Sequence, residues 1–230
     1  MKKLFTIIIC CYNNKKYIAD CLKSIIEQRN YKFNYEIIFV DDNSNDGSLK
    51  IAKSFLKNNK NYKILKNKKN IGLSKSCNKA LKKTKTKYFI RLDSDDLVSK
   101  NFISSFENRV QKNQDFIFCD RIEFNKKNKK KINNKNKNIF KMISCGVALK
   151  TKKVLKLGGY RQILWEEYDL YLRYLSKKKH IVRIKKYLYF YRKHKFSMSY
   201  KKNWVKKAWE ELILKYGKKK LLEYGDFNTL

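Results

Sequence analysis

"KYFIRLDSDD", Lys87 to Asp96, runs an apolar strand-like segment straight into three carboxylates. Acid is scarce here: the 230-residue chain has 57 Lys and Arg against 20 Asp and Glu. Like charges gathered beside a buried segment repel one another and resist desolvation unless a positive group joins them. A divalent cation is the simplest such group. Asp93 and Asp95, one residue apart, are the carboxylates placed to hold it, as Mg2+ is held by one or two carboxylates together with substrate phosphates.

Two further stretches resemble the apolar part of this segment. "LFTIIICCY" (4–12) and "YEIIFVDD" (35–42) are short, β-branched and continuously apolar, the pattern of strands buried on both faces. "YKILKN" (62–67) is a third such run. Between them lie apolar residues at helical spacing. The first set is Ile18, Cys21, Leu22, Ile25 and Ile26; the second is Ile51, Ala52, Phe55 and Leu56, with Asp46 or Ser48 as its cap; the third is Leu73, Cys77, Ala80 and Leu81. Strands alternating with helices predict right-handed crossovers and a mostly parallel central sheet, an α/β fold with flanking helices and a Rossmann-like half.

The second half is less regular. "NFISSFENRV" predicts a helix, "DFIFCDRIEF" a strand, and the Lys/Asn run around 126–138 a solvated loop or hairpin tip. "CGVALKTKKVLKLGGY" holds a strand, a short helix and a Gly-Gly turn, and "WEEYDLYLRYLSKK" a helix. "HIVRI" and "YLYFYRKH" read as two strands. From Ser199 a basic amphipathic helix carries Trp204, Ala208 and Leu212 on one stripe. With no repeat and no Pro/Gly-rich linker, residues 1–230 read as one compact domain.

The net charge of +37 predicts attraction to nucleic acid, an anionic membrane surface or phosphorylated substrates. Compositional drift competes as an account of that charge, since Lys and Asn are abundant and Pro is absent. The six cysteines show no CxxC pair and read as small core residues of a cytoplasmic protein. The N-terminal apolar run is too short for a signal peptide, and no segment is long enough to span a bilayer.

In an open parallel α/β sheet, ligands bind beyond the carboxyl ends of the strands. "CYNN", "DDNSNDGS" and "DSDD" all fall at that edge. Neither GxGxxG nor GxxxxGK[ST] is present, so phosphates are left to a metal and basic side chains. The residues alone imply a metal-dependent enzyme acting on a nucleotide diphosphate, with the transferred group open. A non-enzymatic basic module binding nucleic acid or membrane leaves the acidic cluster unexplained. A sugar-phosphate nucleotidyltransferase needs a Gly-rich loop after the first strand, and "CYNNKK" has none.

Six motifs in order complete the picture: "TIIICCYNNKKYIADCLKSIIEQ", "EIIFVDDNSNDGS", "NIGLSKSCNKAL", "RLDSDD", "GGYRQILWEEYDLYLRYL" and "YLYFYRKHKFSMS". Together, over roughly residues 4–199, they resemble the family 2 glycosyltransferases of the A-type (GT-A) fold. The resemblance implies inverting transfer of a sugar from a nucleotide-diphosphate donor, a UDP-sugar most commonly, assisted by Mn2+ or Mg2+. It implies a glycan or lipid-linked acceptor in cell-surface polysaccharide or lipopolysaccharide synthesis. It also divides the chain into a nucleotide-sugar half (1–97), an acceptor half (98–199) and the C-terminal helix (200–230). That basic helix, Lys201 to Lys220 above all, would hold the protein peripherally on the inner face of the cytoplasmic membrane, and no specific nucleic-acid partner is implied.

By position, Tyr12 matches the residue flanking the base and Asp42 the acid bonding it, with Cys10 and Asn13 beside them. Asn70, Gly72 and Asn78 match the lining of the donor pocket. Asp93, Ser94 and Asp95 form the DXD element, Asp95 ligating metal with His194 while Asp93 touches ribose or metal. Arg192 and His194 match "YRxH", whose basic groups the resemblance expects to engage the diphosphate or metal. Glu166 and Glu167 match the acceptor-side acid pair, whose second member is the general base, with Trp165, Asp169 and Asp96 on the acceptor side. On a helix, Glu166 and Asp169 share a face that Glu167 does not, so Asp169 is expected to pair with a nearby Arg or Lys. Two residues depart from the family pattern: Cys10 stands where Pro is usual, and Glu167 where Asp is usual.

Overall fold

The computed structural model of the protein describes residues 3–31, 34–59, 61–110, 114–143, 145–175, 181–195, 197 and 202–225. The first half folds as its periodicity predicts. Strands β1 (Lys3–Cys11), β2 (Asn34–Asp41), β3 (Tyr62–Lys66) and β4 (Tyr88–Arg91) alternate with helices α1 (Lys15–Ile26), α2 (Ser48–Leu56) and α3 (Leu73–Lys83). They lie parallel in the order β3-β2-β1-β4. Each helix buries its apolar stripe, although α2 seats Ala52 and Leu56 and leaves Phe55 37% exposed. Neither expected cap holds the N-cap position, which is Gly47 with no side-chain bond; Asp46, just before it, accepts the Ser48 N–H at 2.9 Å and the Lys15 N–H at 2.8 Å.

Beyond β4 the sheet is mixed. It continues through β8 (Val147–Lys150), β6 (Phe116–Phe124), β9 (Ile181–Arg192) and β5 (Leu97–Val98), with β7 (Lys129–Ile132) pairing β6. β8 runs antiparallel to both β4 and β6. Among the described residues only the β7 hairpin and a 3-10 turn (Ile139–Lys141) join β6 to β8, and a connection without a crossover helix returns the chain antiparallel.

Two expectations need correction. The two strands read in 180–194 are one: Cys119 pairs Ile184 and Asp120 pairs Tyr187, so Lys185 and Lys186 bulge from β9 without ending it. The Lys/Asn run is not wholly solvated either. Asn134 and Asn138 are buried and bonded to each other, Asn138 N to Asn134 Oδ1 at 2.9 Å and Asn134 Nδ2 to Asn138 O at 2.6 Å.

One face of the sheet is covered by α1, α2 and α4 (Phe102–Val110), the other by α3, α5 (Thr151–Lys156), α6 (Glu166–Leu175) and α7 (Lys202–Tyr216). α7 buries Ala208 and Leu212 completely. Trp209 of the same helix meets Phe140 edge-on, so α7 belongs to the core. All six cysteines are free, and all but Cys119 are buried. No helix among the described residues is long and apolar enough to cross a membrane. Residues 198–201, which include the expected start of the tail helix and Lys201, lie outside the described residues.

Candidate active site

The three polar clusters at the strand ends are joined by hydrogen bonds. Asn13, whose φ of 47° is one that Asn tolerates, accepts the Asn45 N–H at 2.9 Å and donates its own N–H to Ser44 Oγ at 3.1 Å. Asn14 donates its N–H to Ser48 Oγ at 2.9 Å and its amide to Ser94 Oγ at 2.8 Å. Loops up to 80 residues apart in sequence thus form one polar floor. Tyr12 stands out from it, 51% exposed.

Asp42, buried at the end of β2, accepts from Asn67 Nδ2 at 2.8 Å and from the N–H groups of Ile71 and Gly72, both at 2.9 Å. Asn70 Oδ1 also accepts from Gly72, at 3.2 Å. Gly72 has φ +85°, so this loop depends on a residue free to adopt the left-handed region. Cys10 is buried below, its Sγ 3.5 Å from that of Cys77, and offers nothing to the surface.

Arg91 organises the acidic cluster. Its guanidinium donates from Nε to Asp93 Oδ1 at 2.9 Å and from Nη1 to Glu166 Oε1 at 2.7 Å, and Arg91 and Glu166 are both buried. Burial works against the charge, but Asp93 and Glu166 outweigh it and raise the Arg91 pKa above its ordinary value. Asp95 meets His194 Nε2 at 2.9 Å, and that imidazole stacks on Tyr17 with ring centres 4.9 Å apart. Burial, then the charge of Asp93, pushes the Asp95 carboxyl up. Arg192 lies between the rings of Tyr17 and Phe124, each 4.8 Å away, and donates to Asp95 O at 2.7 Å. Its guanidinium therefore supports the Asp95 loop and also contacts Asp20 at 3.3 Å.

The acceptor-side pair begins α6. Glu167 is partly buried and, among the described residues, has no side-chain partner. Burial, reinforced by Glu166, pushes its carboxyl up to about 8. The remaining expectations for this side meet buried geometry. Asp96 is 1% exposed and bonded to Tyr189 OH and, at 2.7 Å, to the Arg192 N–H. Asp169 is fully buried and takes Arg173 Nε at 2.8 Å, Tyr216 OH at 2.6 Å and Lys215 Nζ at 2.6 Å. The pairing expected of it is present, but neither acid faces an acceptor. Trp165 is a core residue packed edge-on against Tyr168 and Trp204. Asn78 spends its amide on the backbone of Tyr160, donating at 2.7 Å and accepting at 2.8 Å, so it clamps the Gly-Gly turn rather than lining a pocket.

Asp93, Asp95 and His194 are donor types that a divalent cation takes, two part-exposed carboxylates and an imidazole, but their ligand atoms do not all lie within 4.8 Å of one another here; burial, then the charge of Asp93, raises the Asp95 pKa. Asp93, Asp96 and Cys145 present ligand atoms within 4.8 Å of one another, but Asp96 is already bonded and burial holds the Cys145 thiol protonated. A cleft of about 560 Å³ opens beside this region, lined in part by Asn14, Lys15, Tyr17, Asp46 and His194. It borders the acidic cluster without including Asp42, Asp93 or Asp95. Sequence reading passed over Arg91, Asn67 and Tyr17. Arg91 alone carried a signal, a charge in an otherwise apolar strand that had to find a partner.

The family model described as "Glycosyl transferase family 2" matches residues 6–166. An uncharacterized glycosyltransferase of Haemophilus influenzae is 37% identical over 110 residues, 48% of this chain and 33% of that protein. A poly(ribitol-phosphate) beta-glucosyltransferase of Bacillus spizizenii is 31% identical over 161 residues, 69% of this chain and 24% of that protein. The chain thus spans a third or less of the length of these relatives. Staphylococcus aureus TarS 1-349 in complex with UDP-GlcNAc superposes with a TM-score of 0.75 at 19% identity, covering 91% of this chain and 66% of that one. A mannosyltransferase of Pyrobaculum calidifontis with GDP-Man and Mn2+ gives 0.68 at 14%, covering 86% and 59%. The fold is accordingly the A-type glycosyltransferase fold that the motifs imply.

Proposed function

Because the chain belongs to glycosyl transferase family 2, we propose that it moves a sugar from a nucleotide-diphosphate donor to a hydroxyl of a glycan or lipid-linked acceptor, with inversion at the anomeric carbon. The observation that carries this reading is Arg91, whose buried guanidinium ties the part-exposed Asp93 on the donor side to the buried Glu166, the neighbour of Glu167. A nucleophile's base and a leaving group's stabiliser must be held at a fixed separation, and this pairing holds them.

Tyr12 offers an exposed ring face to the base. Asp42 has about four acceptor positions, three of them used, which leaves one for a base N–H. Glu167 takes the proton of the acceptor hydroxyl as its oxygen bonds the anomeric carbon and the carbon–diphosphate bond breaks. With its pKa pushed up to about 8 by burial and Glu166, it is a stronger base than an ordinary carboxylate. Asp93, Asp95 and His194 would hold a divalent cation, which would supply charge neutralisation for the departing diphosphate. A uridine donor is supported by the neighbour bound to UDP-GlcNAc, and a cell-surface glycan acceptor by the relative named for poly(ribitol-phosphate).

The test is a screen of UDP-, GDP-, dTDP- and ADP-sugars for hydrolysis with Mn2+ or Mg2+. One nucleotide class should be cleaved in a metal-dependent manner and compete with its free diphosphate. No cleavage and no diphosphate binding across the panel would overturn the reading.

A further inference from the structure

We propose that the sheet edge built from α2, β3 and α3 is a docking face for an anionic lipid surface. Between Gly47 and Leu92 the sequence holds fourteen Lys and Arg91 and not one Asp or Glu; all 20 acids lie elsewhere. The fold gathers these residues. β3 is the terminal strand of the sheet. α2 packs on one side of it through Ala52 and Leu56, and α3 on the other through Cys77, Ala80 and Leu81. The outer surfaces of all three elements therefore wrap one convex edge. Lys50 and Lys53 are exposed on α2 and Lys57 just past its end, Lys82 and Lys83 on α3, and Lys68 and Lys69 in the loop between β3 and α3. Arg91 is buried and paired with Asp93 and Glu166; among the described lysines of this segment only Lys63 reaches a carboxylate, that of Glu36 at 3.4 Å.

Two other stretches, 124–165 and 170–209, also hold no Asp or Glu, but the fold brings acids to several of their bases: Lys150 and Lys153 meet Asp115 at 2.5 and 3.4 Å. In the C-terminal helix that was expected to bind membrane, Lys206 lies 3.9 Å from Glu210 and Lys215 is taken by Asp169. Near the β7 hairpin, Lys193 is held by Glu123 at 2.5 Å. Compositional drift accounts for acid-free runs as such, since three occur; what sets this one apart is that its lysines gather on one edge with a single carboxylate contact among the described residues. Protection of an edge strand explains Lys63 and Lys66 on β3 and leaves the helix lysines without a reason.

The shape selects lipid over nucleic acid. Single-stranded nucleic acid is held by aromatic side chains stacking on bases, and this edge exposes only Phe55, at 37%. Long lysine stems around a convex surface, with one half-exposed apolar ring, match a plane of anionic headgroups. The inference is independent of the transfer reaction.

Co-sedimentation tests it, using phosphatidylcholine vesicles with and without about 30% phosphatidylserine. The edge variant carries Gln at Lys53, Lys57, Lys68, Lys69, Lys82 and Lys83. A control removes the same charge at Lys127, Lys129, Lys130, Lys206, Lys207 and Lys219. The unaltered protein should bind only the anionic vesicles, and less as salt shortens the Debye length below about 8 Å. The edge variant should bind at least about tenfold more weakly, and the control within about threefold. Should the six-fold variant melt early, the double reversal Lys57→Glu with Lys83→Glu takes its place. Equal loss in edge and control variants, equal binding to neutral vesicles, or tighter edge-dependent binding of a single-stranded oligonucleotide would each overturn the proposal.

Discussion

Arg91 Nη1 donates to Glu166 Oε1 at 2.7 Å across 75 residues of sequence, and the same guanidinium holds Asp93. Removing one partner of a buried pair leaves the other charged and unsolvated, at a cost of about 3–5 kcal/mol. Arg91→Met should therefore lower stability by about that much in chemical denaturation. Arg91→Lys, which retains charge but not the fork, should fall between the two.

Glu167→Gln keeps the size of the side chain and removes the base. It should cut sugar transfer by about 10²–10⁴-fold while leaving the affinity for nucleoside diphosphate within error by calorimetry. Asp169→Asn weakens the contacts to Arg173 and Lys215 and should lower the melting temperature with little change in turnover per folded molecule. The reverse pattern would reassign the base.

The rate should rise with pH through about 8, because Glu167 works only once its raised carboxyl has lost its proton. That limb should vanish in Glu167→Gln. Stability should move the other way: a carboxyl binding its proton more tightly when folded stabilises fully below its unfolded value near 4.5, and that contribution is lost as pH climbs through about 8.

Asp95→Asn should erase the difference that Mn2+ or Mg2+ makes to nucleoside diphosphate binding, as measured by titration with and without chelator. His194→Ala should reduce it in part. Equal binding under both conditions in the unaltered protein would remove the cation from Asp93 and Asp95.

Gly159 has φ +71°, and a Cβ there would fall 2.2 Å from Asn78 Oδ1. Gly159→Ala should thus lower the melting temperature, and Asn78→Ala should do so by loss of two hydrogen bonds worth about 1 kcal/mol each. Donor affinity should stay unchanged in Asn78→Ala. A large drop in affinity without a drop in stability would return Asn78 to the donor pocket.

Local pattern by itself determined the α/β order of the first half, the strand ends where the polar clusters gather, and the acids of "RLDSDD" and "WEEYDL" as the chemistry-bearing groups. Those properties are written in side-chain periodicity and in which residues follow a strand, both within a few positions along the chain. Tertiary structure alone decided which of those acids are usable. Asp96 and Asp169 are spoken for by Tyr189 and Arg173, while Glu167 is left with a raised pKa and no partner. It also made one strand, Ile181–Arg192, where the pattern suggested two, turned Asn78 into a clamp, and collected an acid-free stretch of sequence onto a single edge. Desolvation and pairing depend on neighbours brought together from 75 or 93 residues away, and no local window of sequence holds that information.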